Sequence, residues 1–289
     1  MRKKTNISLN QLRDYSSLFS RNVVNSWMKN DFQSIDIKIQ RYDKKWLNSS
    51  RATYMDYVKH VYKVLESKYQ NEYILKNSFL NEWLIEEVGH DNSQVFSEFR
   101  VGNAIADLVM FNGTSKAFEI KTDMDSPKRL DYQLENYHKA FNEIYLILPE
   151  SKVEQYQHYQ KEIGIIVFRP DSNEKFMVHS KSIPNEAVDR DTIMKILRTY
   201  EYKSLVKKHY GYLPPMTSFN QFKVCRELLF NIPNAQLNSY FINFMKARQH
   251  GNALSKRNYR EFNQMSLALK LTPLERKNLI TRLKSPIQN

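Results

Sequence analysis

The hydrophobic pattern changes from helical to strand-like between residues 94 and 168. Five short segments there have the alternating or continuously apolar pattern of strands: QVFSEFRV at 94–101, IADLVMF at 105–111, KAFEIK at 116–121, EIYLIL at 143–148 and GIIVF at 164–168. Asn112-Gly113 joins the second segment to the third as a hairpin. Helices are predicted at 71–88, from Ser126-Pro127 to about 142, and at 152–162. The order α-β-β-β-α-β-α-β predicts an α/β fold with a mixed sheet.

The sequence on either side of this segment has the helical period. Tyr54, Tyr57, Val58, Val61 and Leu65 repeat at helical spacing, and helical periodicity returns at 192–207, 221–230, 237–249 and 259–271. We therefore predict three regions, which are a basic helical N-terminal region at 1–70, a central α/β region at 71–183 and an all-helical C-terminal region at 184–289.

Composition excludes several classes of protein. No apolar run approaches the roughly 20 residues that span a bilayer, and the charged N-terminus leads into no apolar segment, so a soluble cytoplasmic protein without a membrane partner is expected. The single Cys225 rules out an internal disulfide framework. The 6 glycines form no phosphate-cradling loop, and the 7 histidines form no H-E-x-x-H pair. Nucleotide-cofactor and zinc enzymes are therefore disfavoured.

Charge is distributed unevenly along the chain. The net charge is +8 over residues 1–70, −7 over 71–150, +1 over 151–200 and +11 over 201–289. Two basic arms favour a nucleic-acid partner, because Lys and Arg gain affinity by releasing counterions from phosphates. The acidic centre would repel phosphates unless a divalent cation were bound there. The alternative is that the basic flanks merely solvate helices.

The acidic centre contains one dense group of polar residues. Strand alternation puts Glu119 and Lys121 on one face, with Phe118 and Ile120 on the other. A three-residue hairpin loop would set Asp107 opposite Glu119, whereas a two-residue loop would set it opposite Phe118, and the sequence leaves both open. Two facing carboxylates form an oxygen site for Mg²⁺ or Mn²⁺. The alternative is a cross-strand polar patch, worth only about 0.2–1 kcal/mol.

These residues resemble the signature of a known family. Asp107 followed by Glu119-Ile120-Lys121 resembles the D…ExK signature of the PD-(D/E)xK nuclease superfamily, over roughly residues 71–170. Gln133 and Tyr137 are similar to the Q-x3-Y motif of its RecB-like branch. Ala106 stands where the family often has Pro, a departure that the superfamily tolerates. The segment 98–107 is similar to that of uncharacterised bacterial members.

The resemblance implies a fold, an activity and a partner. The fold would be a restriction-endonuclease-like αβββαβ core, and the protein, of bacterial or phage origin, would hydrolyse phosphodiester bonds with Mg²⁺ or Mn²⁺. DNA is preferred over RNA on the resemblance alone. The alternative is a non-catalytic nucleic-acid-binding protein on a nuclease-like scaffold. The sequence leaves the oligomeric state open.

The resemblance also assigns roles to residues. Asp107, Glu119 and the carbonyl of Ile120 would hold the metal, and Lys121 would help to activate water. Gln133 and Tyr137 share one helical face and could reach the site, although Tyr137 also continues an apolar stripe. The superfamily often adds another acid, for which we select Glu72 and Glu98 from several candidates. Either also fits a solvated surface charge.

A basic cluster in the last ninety residues is the predicted nucleic-acid contact. It surrounds His250-Gly251-Asn252, a predicted break between helices, and comprises Lys246, Arg248, Lys256, Arg257 and Arg260. Tyr259 and Phe262 could stack on unpaired bases. The alternative is that these two aromatic side chains are core residues and that the cations only solubilise the surface.

Overall fold

The structure, a computed structural model, describes residues 7–48, 51–85, 93–248 and 254–288. Its contacts form two compact units. Met1–Ile85 and His250–Asn289 make the first, here called the helical unit, and Glu86–Gln249 makes the second, the sheet unit. The chain therefore leaves the helical unit and later returns to it.

This division differs from the predicted boundaries at residues 70 and 183. Ile74 is buried in the core of the N-terminal helices, so residues 72–85 belong with them. The apolar side chains of the helices from residue 190 to 247 share one core with the sheet. Hydrophobic burial, and not the change in periodicity, sets the boundaries.

The helices that the structure describes are short. They are α1 Leu9–Ser16, α2 Arg21–Trp27, α3 Gln33–Tyr42, α4 Tyr54–Lys68, α5 Glu72–Phe79, α6 Leu130–Tyr137, α7 Val153–Tyr156, α8 Arg190–Ile196, α9 Thr199–Tyr210, α10 Gln221–Phe230, α11 Asn234–Ala247, α12 Asn263–Ala268 and α13 Pro273–Leu283. None of these described helices is both long and apolar enough to cross a bilayer.

Helix α4 is the central helix of the helical unit. It begins at a capping box, in which the Thr53 side chain accepts from the N–H of Asp56 and the Asp56 carboxylate accepts from the N–H of Thr53. The stripe predicted from its period is confirmed, because all five side chains are buried. Asn71 caps the N-terminus of α5, because its side chain accepts from the N–H of Ile74, and a π-helical turn over Leu80–Leu84 follows the helix. The predicted end of this helix at Gly89 lies outside the described residues.

The C-terminal segment is fixed to α5 by a buried polar network. Asn77 and Asn81 each donate to the carbonyl of Arg260 at 3.0 Å, and Asn263 donates to the Asn81 side chain at 2.7 Å. The predicted helix at 259–271 is instead a 3₁₀ turn at Arg260–Phe262 followed by α12. Tyr259 has φ +56°, which no helix interior allows. Helix α13, which the sequence analysis missed, follows a Thr272 capping box.

The sheet unit contains a six-stranded mixed sheet in sequential order. Its strands are β1 Gln94–Val101, β2 Ala104–Phe111, β3 Ser115–Ile120, β4 Glu143–Pro149, β5 Gly164–Phe168 and β6 Phe176–Ser180. Strands β3, β4 and β5 are parallel, and the other neighbours are antiparallel. The α/β fold with a mixed sheet is thus confirmed. The sequence analysis missed β6, an edge strand that fully buries only Phe176.

The hairpin between β2 and β3 has the three-residue loop. Phe111 pairs with Ser115 and Leu108 pairs with Phe118, so Asn112, Gly113 and Thr114 form the connection. Continuing this register by one residue sets Asp107 opposite Glu119. The loop length therefore resolves the alternative that the sequence left open.

The helices after β6 cover the sheet. Phe241 on α11 meets Phe111 on β2 edge to face, with 5.5 Å between ring centroids. The single helix predicted at 192–207 is divided into α8 and α9. A new helix starts at Arg198 because the carboxylate of Glu201 accepts from its backbone N–H at 2.7 Å.

Gly102 in the turn between β1 and β2 provides a stability prediction. Its φ of +57° and a Cβ position only 2.5 Å from Asn136 Oδ1 both disfavour a side chain. We expect Gly102→Ala to lower the free energy of unfolding by about 1–2 kcal/mol, measured by urea denaturation. Gly211→Ala is the matched control, since its φ is +79° but no atom lies within 4 Å. An equal loss in both variants would show that the Asn136 contact costs nothing.

Candidate active site

Strands β2 and β3 separate at the position of Asp107. The last residue pair of their ladder is Leu108 with Phe118. Beyond it, the side chain of Asp107 takes the place of a backbone acceptor, because its Oδ2 accepts from the N–H of Ile120 at 2.8 Å. On the other side, Lys121 keeps β3 attached to β4 by donating its N–H to the carbonyl of Ile147 at 2.8 Å. The separation gives the polar side chains of β2 and β3 room to meet.

Glu119 is the buried centre of this group, with 4% of its surface exposed. Its Oε1 accepts from Lys121 Nζ at 2.8 Å and from Gln133 Nε2 at 2.6 Å. Its Oε2 lies 2.8 Å from the hydroxyl of Tyr137. The charged donor Lys121 and the neutral donors Gln133 and Tyr137 therefore offset the free-energy cost of burying this carboxylate.

Helix α6 supplies two of these donors. Its positions four residues apart direct Gln133 and Tyr137 towards Glu119, while Leu130 and Leu134 enter the core. Tyr137 is itself fully buried. Both interpretations of Tyr137 therefore hold, because its ring is core and its hydroxyl touches Glu119.

The Tyr137 hydroxyl remains protonated. Burial raises its pKa, and the negative charges of Glu119 and Asp107 raise it further. Its one proton can go to Glu119 Oε2 or to the carbonyl of Ile105, which lies 2.7 Å away. The phenol can therefore turn from the carboxylate to the backbone without leaving its own proton unbonded.

The charges of the group do not balance. Asp107 and Glu119 bring two negative charges and Lys121 brings one positive charge, which also meets Gln133 Oε1 at 3.1 Å. These three side chains alone sum to one negative charge in a partly buried place, where charges are weakly screened. A cation bound there would neutralise that charge.

The oxygen atoms of this group are suitable ligands for a hard divalent cation. Two carboxylates and the Ile120 carbonyl offer only oxygen, and Mg²⁺ commonly takes one or two carboxylates while keeping several waters. Among the described residues no cluster of three or more His, Cys, Asp or Glu side chains could hold a metal. A metal at this site would therefore depend on water or substrate for its remaining ligands.

The two additional acids that were predicted lie in different surroundings. The β1–β2 register sets Glu98 across from Asp107, but Glu98 is exposed and has φ +52°. Glu72 belongs to the helical unit, outside the unit that carries the site, and pairs with Lys76 at 2.5 Å. Within the sheet unit the structure therefore brings together Asp107, Glu119, Ile120, Lys121, Gln133 and Tyr137.

The predicted basic cluster is divided between the two units. Lys246 and Arg248 belong to the sheet unit, whereas Lys256, Arg257 and Arg260 belong to the helical unit. Lys256 and Arg257 are exposed, and Lys246 is half-buried. The predicted break at 250–252 lies outside the described residues.

Arg248, which was predicted to contact nucleic acid, is paired within the protein. Its guanidinium makes two hydrogen bonds to the carboxylate of Glu201, at 2.7 and 2.6 Å, and one to the carbonyl of Ile196 at 2.9 Å. The side chains of Arg248 and Glu201 are only 9% and 1% exposed. The guanidinium of Arg248 therefore forms an internal ion pair. Charge in the sequence did not reveal a partner 47 residues away.

Two other members of the predicted contact are also structural. Arg260 donates to the carbonyl of Asn81 at 2.9 Å and to Glu82 at 3.0 Å. Phe262 is fully buried, so its predicted stacking on a base is wrong. Tyr259 is half-buried, and Lys59 Nζ lies 4.6 Å from its ring centroid.

Exposed side chains close to Gln133 in the sequence were not predicted to belong to the site. Lys128 and Arg129 are exposed on the 3₁₀ turn that leads into α6. Arg129 precedes Gln133 by four residues, and that spacing after Ser126-Pro127 was the available signal. Tyr132 and Met124 are also exposed, by 50% and 67%, and offer apolar surface beside the helix that carries Gln133.

Comparison with known proteins gives one family and one named relative. The profile of the family described as Bacteriophage P4 protein cII matches residues 65–271. Protein cII of Enterobacteria phage P4 is 28% identical over 177 residues, which are 59% of this chain and 65% of that protein. The chain thus covers somewhat less than two thirds of the length of that relative. No solved structure matches the chain significantly.

Proposed function

The chain belongs to the bacteriophage P4 protein cII family, and from the geometry of its site we propose that it is a metal-dependent nuclease. It would hydrolyse phosphodiester bonds, with DNA as the preferred substrate, on a restriction-endonuclease-like core of the PD-(D/E)xK superfamily. The family name states no activity, so the proposal rests on the residues.

One observation carries the proposal. The β2–β3 register, continued by one residue, sets Asp107 opposite Glu119, Asp107 Oδ2 accepts from the N–H of Ile120 next to Glu119, and Lys121 contacts Glu119 at 2.8 Å. An ordinary polar patch on a sheet lies on the solvent side, whereas Glu119 and Lys121 are 4% and 8% exposed. Burying charged groups costs free energy that their mutual attraction does not always repay. Paired carboxylates with a buried lysine are instead suited to holding a cation and a water beside a phosphate.

Each residue has a role in the proposed reaction. Asp107, Glu119 and the Ile120 carbonyl would hold the cation. A divalent cation, when bound, neutralises the phosphate and makes water a better nucleophile. Lys121 Nζ would orient the attacking water or stabilise the charge that develops on the phosphate.

Gln133 and Tyr137 are positioning residues in this proposal. Gln133 accepts from Lys121 through Oε1 and donates to Glu119 through Nε2, so one amide fixes both side chains. Tyr137 can release Glu119 Oε2 by donating to the Ile105 carbonyl instead. An oxygen of Glu119 would then become available to the cation without leaving a buried donor unsatisfied.

Cleavage of nucleic acid tests the proposal directly. Supercoiled plasmid, linear duplex and single-stranded DNA, together with RNA, are incubated with the chain in Mg²⁺, in Mn²⁺ and in EDTA. We expect cleavage of at least one DNA substrate that requires the metal. Absence of cleavage on all substrates with both metals would contradict a nuclease.

A binding protein without catalysis remains the second candidate. The observation that favours it is that three side chains already occupy both oxygens of Glu119. Under this alternative, nucleic acid binds equally well in EDTA and is not cleaved. The same set of substrates, measured by gel shift and by cleavage, separates the two functions.

The exposed basic residues give a prediction about salt. We expect Lys256→Gln with Arg257→Gln, and separately Lys128→Gln with Arg129→Gln, to weaken DNA binding. Each pair should lower the slope of log affinity against log salt by about one unit per lost contact. Fluorescence anisotropy over a salt series measures both quantities.

The control pair removes the same charge at the far edge of the sheet. Lys161→Gln with Lys181→Gln changes exposed residues beside β5 and β6. Its slope should equal that of the unchanged protein. An unchanged salt slope in the Lys256→Gln, Arg257→Gln variant would show that these two residues do not contact DNA and serve only to keep the surface soluble.

A further inference from the structure

The helical unit contains a cavity that the proposed nuclease does not use. It measures about 370 Å³ and is lined by Gln11, Tyr15, Asp43, Lys44, Lys45 and His60, among others. We name it the Asp43 pocket. Its volume is within the range of roughly 300–1,000 Å³ that holds small ligands.

A buried carboxylate is the central feature of the pocket. Asp43 is 8% exposed, and the hydroxyls of Tyr15 and Tyr57 both donate to its Oδ2, at 2.5 and 2.9 Å. Within the described parts of the chain, nothing donates to Oδ1 and no cationic side chain pairs with Asp43. Burial and the charge of Asp43 raise the pKa of both phenols, which therefore remain donors. Oδ1 is thus available to accept from a ligand.

The walls and the rim of the pocket have different chemistry. The rings of Tyr15, Tyr42 and His60 line the wall. Burial lowers the pKa of His60, which favours its neutral ring. Lys44 and Lys45 are exposed on the 3₁₀ turn Lys44–Trp46, and neither pairs with a described carboxylate. The pocket therefore offers an acceptor at its base, flat rings along its side and two cations at its mouth.

We propose that the Asp43 pocket binds a nucleotide whose base carries an exocyclic amino group. The amino group would donate to Asp43 Oδ1, the base would lie along the aromatic wall, and the phosphate would meet Lys44 and Lys45. Thymine and uracil fit poorly, because two carbonyl oxygens flank their N3–H and would face the carboxylate. This proposal does not depend on nuclease activity. Either a free nucleotide or an unpaired nucleotide of a strand has the required chemistry.

Calorimetric titration of the full chain in EDTA tests the free nucleotide. We expect dCMP, dAMP or dGMP to bind at least about 10-fold more tightly than dTMP. Asp43→Asn should weaken binding of the nucleotides with an amino group about 10- to 100-fold, because a charged acceptor is replaced by a neutral amide. It should also remove the preference over dTMP.

Variants at the rim keep the test valid if Asp43→Asn does not fold. The double substitution Lys44→Gln with Lys45→Gln should weaken binding of the nucleotide. It should not weaken binding of the corresponding nucleoside, because the nucleoside has no phosphate. Lys68→Gln, an exposed change on α4 that does not line the pocket, should alter neither. Equal nucleotide affinity in the rim variant and the unchanged protein would overturn the proposal.

Oligonucleotides distinguish the two sources of the ligand. A strand of twelve dT residues is compared with the same strand carrying one central dC, dA or dG, again in EDTA. A preference for the mixed strand that Asp43→Asn removes would identify the unpaired nucleotide. The same preference among free nucleotides alone would identify a free ligand. If neither series shows a preference for a base with an amino group, the proposed ligand of the Asp43 pocket is wrong, whatever the result of the cleavage assay.

Discussion

Glu119→Gln is expected to lower Mg²⁺-dependent cleavage by at least about 10²–10³-fold. The amide keeps the size of the side chain but removes one of the two negative charges that would hold the cation. A bound metal is worth several kcal/mol in the transition state, and each 1.4 kcal/mol is a factor of ten. Initial rates on the best plasmid substrate, measured over a series of Mg²⁺ concentrations, give the loss.

The matched control is Glu135→Gln on α6. Glu135 is exposed and pairs with Lys139 at 2.8 Å, so its replacement changes the same charge close to the site in sequence. It should leave the rate within about twofold. Thermal melting of both variants verifies that the fold survives. Full activity in Glu119→Gln, Asp107→Asn and Lys121→Ala would show that any cleavage comes from elsewhere.

Arg248→Ala is expected to destabilise the protein by about 3–5 kcal/mol, because removing one partner of a buried ion pair leaves the other uncompensated. Burial alone raises the pKa of Glu201, but the hydrogen bonds and charge of Arg248 outweigh burial and hold this pKa below its ordinary value. A lowered carboxyl pKa stabilises the folded state above the ordinary glutamate pKa, and the contribution is lost as pH falls. Urea denaturation of both proteins at pH 7 measures the difference.

The pH dependence distinguishes this ion pair from a simple loss of packing. Below the usual glutamate pKa of about 4.3, the difference between Arg248→Ala and the unchanged protein should shrink, because Glu201 becomes protonated in both. Lys246→Ala, a half-buried change two residues earlier, should cost much less than Arg248→Ala at any pH. A stable Arg248→Ala variant that binds DNA poorly would return Arg248 to the nucleic-acid contact.

The sequence predicted the site better than its surroundings. Strand alternation correctly put Glu119 and Lys121 on one face, since the side-chain period of a strand is fixed by its backbone. The position of Asp107 depended on one residue of loop length, and only the pairing of Phe111 with Ser115 decided it. Local sequence patterns thus predicted the arrangement of Asp107, Glu119 and Lys121, except for the length of the loop between β2 and β3.

Long-range polar contacts could not be predicted in this way. Arg248 and Glu201, or Asn81 and Arg260, are far apart in sequence and leave no periodic signal. The pairing of Arg248 and Arg260 within the protein was not predicted, because a charge count does not distinguish a free cation from a paired one. Strand β6 escaped prediction because an edge strand buries too few side chains to make a pattern.

The discontinuity of the helical unit has a consequence for biosynthesis. Asn77 and Asn81 share the carbonyl of Arg260 as an acceptor, and Asn77 also accepts from the N–H of Gln264; the ribosome makes both of these residues after the entire sheet unit. At about 5–20 residues per second, the first 85 residues wait on the order of ten to thirty seconds for them. During that interval the apolar side chains of α5 lack the cover of α12, and the amides of Asn77 and Asn81 lack their final acceptors. The N-terminal helices should therefore be the part of the newly made chain most dependent on chaperones, although they are synthesised first.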